Sequence, residues 1–237
     1  MDNGTIVLEI LRNLSNDDVY TLIDVFENHN DDEKTHSQKL MPIIDETFKQ
    51  ANLTLDDIDL LACCQGPGSF TGIRIGISTV KAFADVKNIP IIGVTSLESL
   101  CYNIKQNGLI ASIIDAKHDN VYFGLYKFET SNLLTVEQPL SCTISFAIEV
   151  LKKYANEEIT LVGDGTIVHN ELLKQELNNI QFAKENENMQ TSISVGLSAL
   201  SKYNNSNYSP TFSVSPIYLK KSEAEINLEK KNMIKGD

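Results

Sequence analysis

The segment Gln65-Gly66-Pro67-Gly68-Ser69-Phe70-Thr71-Gly72-Ile73-Arg74-Ile75-Gly76 is the stretch best suited to chemistry. It follows an apolar run and opens a helix-period stretch. Gly66 and Gly68 reach backbone angles closed to other residues. Pro67 stiffens the bend, and Ser69 or Thr71 can cap the first free amides of a helix. A glycine-rich turn from strand to helix can hold an anion or nucleotide, because the helix amides point outwards. Gly66, Pro67, Gly68, Ser69, Phe70, Thr71 and Arg74 are the candidates for such a site. The same residues also make a purely structural turn, and their types leave both readings open. No Lys-Ser or Lys-Thr follows the last glycine as a Walker A loop requires, and the spacing is not the dinucleotide GxGxxG.

Asp115 ends an apolar run in IIDAKHDNVY, and Asp164 sits in VGDGT. Nucleotide folds place their chemistry at strand ends, which adds both acids to the candidate site. The competing reading is two surface turns. His29, His36, His118 and His169 form neither HxxxH nor HExxH, so no metal site is expected. His36, at a helix start, reads as a structural or interface residue. No GxSxG is present. Cys63, Cys64, Cys101 and Cys142 include no CxxC pair. Cys63 and Cys64 lie in an apolar run and read as buried thiols.

These residues need a scaffold. Apolar runs predict strands over 5–11, 19–26, 58–64, 89–94, 109–114, 120–128 and 159–163. IDLLACC and PIIGV are apolar on both faces, as in a sheet covered on both sides. Val121, Phe123 and Leu125, with Tyr122 and Tyr126, suit an antiparallel strand with one exposed face. Helical periodicity predicts helices over 36–50, 70–87, 96–106, 145–155, 168–178 and 192–204. The alternation argues an α/β fold. A boundary between lobes falls within 99–108, giving an N-terminal lobe over 1–104, a C-terminal lobe over 105–226 and a frayed tail over 227–237.

The helix over 70–87 carries two apolar stripes, Ile73, Ile77, Val80 and Ala84 on one side, Ile75, Ala82, Phe83 and Val86 on another. Two apolar faces mean burial on two sides. Gly72 and Gly76 sit four apart in it, suiting close approach of another backbone. The helix over 36–50 presents Leu40, Ile43, Ile44, Thr47 and Phe48. An intrachain core contact and a helix bundle shared between subunits both explain this excess.

The chain has 237 residues, 42% hydrophobic and 22% charged, which excludes a disordered tail or a coiled-coil rod. Its net charge of −12 disfavours holding nucleic acid or an anionic membrane unaided. No apolar run approaches the roughly 20 residues of a membrane span. MDNGTIVLEI lacks the basic start of a signal peptide, so a cytoplasmic location is expected.

GPGSFTGIRIGISTVKAFADVKNIPIIGVTSLESL resembles the bacterial TsaB (YeaZ-type) family of tRNA threonylcarbamoyladenosine biosynthesis proteins. THSQKLMPIIDE, IIDAKHDNVYFGLY, LVGDG and PIYLKKSEAE agree in order, so the resemblance covers about residues 34–225. It implies a two-lobed actin-like, sugar-kinase-like (ASKHA) fold, with mixed sheets and flanking helices. It also implies a non-catalytic accessory subunit without a cofactor. Such a subunit is a homodimer in isolation and pairs with a TsaD-like catalytic subunit and a TsaE-like ATPase. Together they place a threonylcarbamoyl group on the adenosine beside the tRNA anticodon, and the subunit meets tRNA only through the complex.

The resemblance further implies that the helices over 36–50 and 71–87 form the shared bundle. The interface residues are then His36, Leu40, Ile43, Ile44, Thr47, Gly72, Ile73, Gly76, Ile77 and Val80. Ile44→Glu or Ile77→Glu is accordingly expected to weaken association more than the fold. The catalytic relative's metal-binding His pair aligns with Ser96 and Leu100, which cannot ligate. The family's first strand ends in Asp-Thr-Ser, whereas here Glu9 is the only acid in that strand. Two other readings are a degenerate nucleotide-fold regulatory protein and a free-standing peptidase-like or ATP-dependent enzyme.

Overall fold

The computed structural model describes residues 8–11, 36–104, 106–130, 132–205 and 213–220, with backbone alone for 8–11 and 36–39. The strand expected over 19–26 and the tail over 227–237 lie outside the described residues.

In chain order the elements are β1 (Leu8–Leu11), α1 (His36–Ala51), β2 (Leu60–Cys64), α2 (Phe70–Lys87), β3 (Ile91–Val94), α3 (Ser96–Cys101), β4 (Gly108–Asp115) and β5 (Asn120–Glu129). They continue with β6 (Asn132–Thr143), α4 (Ile144–Lys152), β7 (Ile159–Val162), α5 (Asp164–Val168), α6 (Asn170–Glu176), β8 (Ile180–Phe182) and α7 (Ser192–Asn204). Among the described residues the strands form two sheets, ordered β1-β2-β3 and β6-β5-β4-β7-β8. In the first, β1 is antiparallel and β3 parallel to β2. In the second, β6-β5-β4 is antiparallel and β4-β7-β8 parallel.

Side chains of a strand alternate between faces, and both faces of the first sheet are covered, as its apolar runs implied. Leu61, Cys63 and Ile91 meet α1 and α2 through Leu40, Ile44, Ile77, Val80 and Ala84. Leu60, Ala62, Ile92 and Val94 meet Val195 and Ala199 of α7. That helix falls in the span expected to be C-terminal lobe, 105–226, yet it packs on the first sheet. A return of the chain to an earlier sheet leaves no local mark in sequence.

The second sheet is sandwiched too. Val121, Phe123, Leu125, Leu109 and Leu161 face α4 and α6, while Ile110, Tyr126 and Val162 face α3. The half-exposed strand expected over 120–128 is therefore covered on both faces, by α4 and α6 on one side and by α3 on the other. β6 and β8 had no clear signature. β6 mixes polar and apolar residues and contains Pro139, which an edge strand tolerates. The helix expected over 96–106 stops at Cys101, and the one expected over 168–178 forms over Asn170–Glu176 as α6, with α5 before it.

All four cysteines are free thiols. Burial pushes the Cys63 thiol up to about 12. Among the described residues no helix is long and apolar enough to cross a membrane.

Candidate functional site

The glycine loop leaves β2 at Gln65 and enters α2 at Phe70. Ser69 caps that helix by accepting from the Gly72 amide at 3.2 Å. Gly66 has φ +98°, and a Cβ there would lie 2.7 Å from Ile73 Cδ1 and 3.0 Å from the Ile217 carbonyl. Only glycine fits. The Gly66–Pro67 peptide is cis. Gly66 and Pro67 are buried, whereas Gly68, Ser69, Phe70 and Thr71 are exposed.

The chain itself uses much of this loop. The Gln65 amide donates to the Val94 carbonyl at 2.8 Å, and the Ser96 amide donates to the Gly66 carbonyl at 2.9 Å. From the other side, the Ile217 amide donates to the Gln65 carbonyl at 2.8 Å. Gln65 Nε2 donates to the Ser215 carbonyl at 2.8 Å. Residues 213–220 thus lie along the loop like a strap.

Arg74 lies beside the strap. Its guanidinium carbon stands 3.8 Å from the centre of the Phe70 ring, and Phe70 stacks on Tyr218 at 5.0 Å. Tyr218 was the residue the sequence did not single out, although PIYLKKSEAE contained it. Only its partner 144 positions away gives it a role.

Asp115 and Asp164 do come together. Asp164 Oδ1 accepts from the Asp115 amide at 3.0 Å, and Asp115 Oδ1 accepts from the Lys117 amide at 3.2 Å. Burial, with the Asp115 charge adding to it, holds the Asp164 carboxyl above the usual carboxylate range. His169 was not assigned here from sequence, yet its Nε2 is 4.0 Å from Asp115 Oδ1. Asn188, also unanticipated, accepts from the Gly163 amide at 2.9 Å through Oδ1 and holds the β7–α5 turn. Among the described residues no hydrogen bond joins this cluster to the glycine loop. The two share a wall, α3, whose Ser96 touches the loop and whose Leu100 abuts Gly163.

Residues 30–228 match the family model described as TsaD: tRNA N6-adenosine threonylcarbamoyltransferase. The chain belongs to this family. It is 32% identical over 145 residues to the tRNA threonylcarbamoyladenosine biosynthesis protein TsaB of Bacillus subtilis (strain 168), covering 61% of this chain and 63% of that protein. The match therefore spans less than two thirds of the Bacillus protein. The TsaB protein of Haemophilus influenzae is 25% identical over 162 residues, with 65% of this chain and 69% of that protein covered. A crystal structure of a Pseudomonas aeruginosa protein with similarity to peptidase YeaZ superposes with a TM-score of 0.64, over 79% of this chain and 85% of that one. At 22% identity that likeness speaks for the fold alone. The expected ASKHA-type fold, mixed sheets with flanking helices, stands on the family match and on this neighbour.

TsaB-like segments also carried the expected interface, and several of its residues are buried inside this chain. Ile44 and Ile77 are 2% and 4% exposed, and with Leu40 and Val80 they fill the chain's own core. Ile43 and Ile73 are half-buried against it. Thr47 is half-buried, and its hydroxyl donates to the Ile43 carbonyl at 2.7 Å. Gly72 is buried beneath its own cap, where a Cβ would sit 3.3 Å from Ser69 Oγ. Gly76 is half-buried. His36 opens α1, and its side chain lies outside the described residues. A charge at Ile44 or Ile77 therefore attacks the fold first. With two apolar stripes on α2, periodicity could not say which one the sheet takes. The other stripe is only partly covered: Ile75 and Phe83 are half-buried against the same core cluster, whereas Ala82 is exposed and Val86 is 71% exposed.

Proposed function

We propose that this chain is a non-catalytic accessory subunit of a tRNA N6-threonylcarbamoyladenosine modification assembly. It pairs with a TsaD-type catalytic subunit, works with a TsaE-type ATPase and acts in the cytoplasm. In isolation it pairs with itself. The observation that carries the pairing is the exposed end of α2's second apolar stripe, where Val86 is 71% exposed. Met41 of α1 adds a second large apolar side chain, 49% exposed. Large apolar side chains left exposed favour a partner surface.

The accessory role is supported by the residues that stand at the positions of the relative's metal ligands. Leu100 is buried in an apolar cluster of α3. Ser96 Oγ lies 3.0 Å from Cys64 Sγ. Neither position offers an imidazole.

The test is a reconstitution with one component left out. Catalytic relative, ATPase, threonylcarbamoyl-adenylate and unmodified tRNA are combined with and without this chain, and modified nucleoside is read by mass spectrometry. Modification that depends on the chain is the expected result. Equal modification without it overturns the reading.

A further inference from the structure

A cavity of about 300 Å³ opens between α3, α7 and the start of β6. It is separate from the glycine loop and the Asp115–Asp164 cluster, none of whose residues lines it. Its size falls at the lower end of small-molecule sites.

The base of the cavity is an ion pair. Lys202 Nζ donates to Glu98 Oε2 at 2.8 Å and to the Gly93 carbonyl at 3.3 Å. Glu98 Oε2 also accepts from the Thr95 amide at 3.0 Å. An ammonium has three donors and a carboxylate two oxygens. One N–H of Lys202 and the second oxygen of Glu98 are therefore left over among the described residues. They form a donor and an acceptor side by side, on side chains only 25% and 21% exposed. Tyr102 and Ser201 add two hydroxyls, hydrogen-bonded to each other, and the Tyr102 ring is held edge-on by Phe128 at 5.1 Å. Thr135 adds a third hydroxyl.

The fourth wall is a strand edge. Consecutive residues of a strand point to opposite faces, yet Asn132, Leu133, Leu134 and Thr135 all line the cavity. The cavity thus touches the outer edge of β6, which among the described residues has a partner strand on one side only. Backbone groups there are open to a ligand.

The ligand class follows by elimination. The Lys202 charge is already answered by Glu98, which leaves no net positive charge for an anion. Glu98 is in turn answered by Lys202, which leaves no charge for a cation. The polar lining excludes a purely apolar guest. What remains is a small neutral molecule with adjacent groups that both donate and accept. We propose that this cavity binds a neutral ligand presenting a vicinal diol, either the ribose of a nucleoside or a simple sugar. The inference does not depend on the assembly proposed above.

The full chain is titrated by calorimetry with uridine, dideoxyuridine lacking the diol, and D-glucose. Saturable millimolar binding of uridine or glucose is expected, with dideoxyuridine at least about ten-fold weaker. Uridine alone identifies a nucleoside site, and glucose alone a sugar site. Lys202→Met should weaken binding about ten-fold, because it removes the charged donor. Thr135→Trp changes an exposed position at the cavity wall and should abolish binding in a protein that melts normally. Should Lys202→Met fail to fold, Thr135→Trp decides. No saturable binding of uridine or glucose overturns the proposal. So does equal binding of dideoxyuridine, or unchanged binding to folded Thr135→Trp.

Discussion

Arg74 Nε donates to Tyr218 Oη at 2.7 Å, joining residues 144 positions apart. The stacking of Phe70 on Tyr218 and of Arg74 on Phe70 makes this a three-part clasp. It fastens the strap at 213–220 to the first turns of α2. Gln65, just upstream, is bonded to the same strap through its backbone carbonyl and its side-chain amide. The glycine loop is thus held on its outer side by residues translated long after it.

Tyr218→Ala should release that strap with little effect on global melting, since both rings of the clasp lie at the surface, 45% exposed. Hydrogen exchange at the Ile217 amide reports it, because that amide donates to the Gln65 carbonyl. Faster exchange at Ile217, with core amides unchanged, is the expected pattern. Unaltered exchange would show that the clasp holds nothing.

The two stripes of α2 separate fold from association. Ile77→Glu buries a carboxylate among Leu40, Val80 and Ile91 and should cost more than about 3 kcal/mol of stability. Val86→Glu, at a position 71% exposed, should change stability by about 0.5 kcal/mol or less. Sedimentation should then show weaker pairing for Val86→Glu, with itself and with the catalytic relative. Unchanged pairing in a folded Val86→Glu protein removes this face from the interface.

Two glycines of positive φ test crowding against strain. Gly163 has φ +109°, and a Cβ there would overlap the Ile113 carbonyl oxygen. Gly108 has φ +131°, with nothing within 4 Å of the added carbon. Gly108→Ala should cost only the conformational strain, about 1–2 kcal/mol. Gly163→Ala should cost at least about 1 kcal/mol more, because backbone must shift. Urea unfolding of both variants measures the difference, and equal losses would contradict the packing of the β7–α5 turn.

Asp164 makes stability depend on pH in a definite direction. Its folded carboxyl sits above the ordinary value of 3.8, so the folded protein holds that proton more tightly than the unfolded chain. The contribution is complete below 3.8 and is lost as pH rises through the folded value. Asp164→Asn keeps an oxygen for the Asp115 amide and removes the buried charge. The variant should therefore melt higher than the parent at neutral pH, with the gap closing in acid. A gap that widens in acid would reverse the assignment.

The legible parts of the chain were those governed by local chemistry. α2 begins and ends at the residues its pattern predicts, because Ser69 caps one end and Asn88, at φ +54°, turns the chain at the other. α7 is equally local, opened by the reciprocal bonds of Thr191 and Ser194. Tyr126 was read as part of a half-exposed strand, since nothing in its neighbourhood tells that α3 covers it. β6 escaped notice because an edge strand needs no apolar alternation. The paired acids were visible as separate strand ends, whereas His169 and Asn188 join them only through the folded turn after β7.

The late arrival of α7 bears on how the protein is made. The face of Leu60, Ala62, Ile92 and Val94 is complete once β3 has been synthesised, at Val94, but its cover begins only at Ser192. At ribosomal speeds of about 5–20 residues per second, that apolar surface stays bare for about 5–20 s. A nascent chain halted in this interval presents an unfinished sheet to every neighbour, so the protein's yield in the cell rests on α7 and on whatever shields the sheet until then.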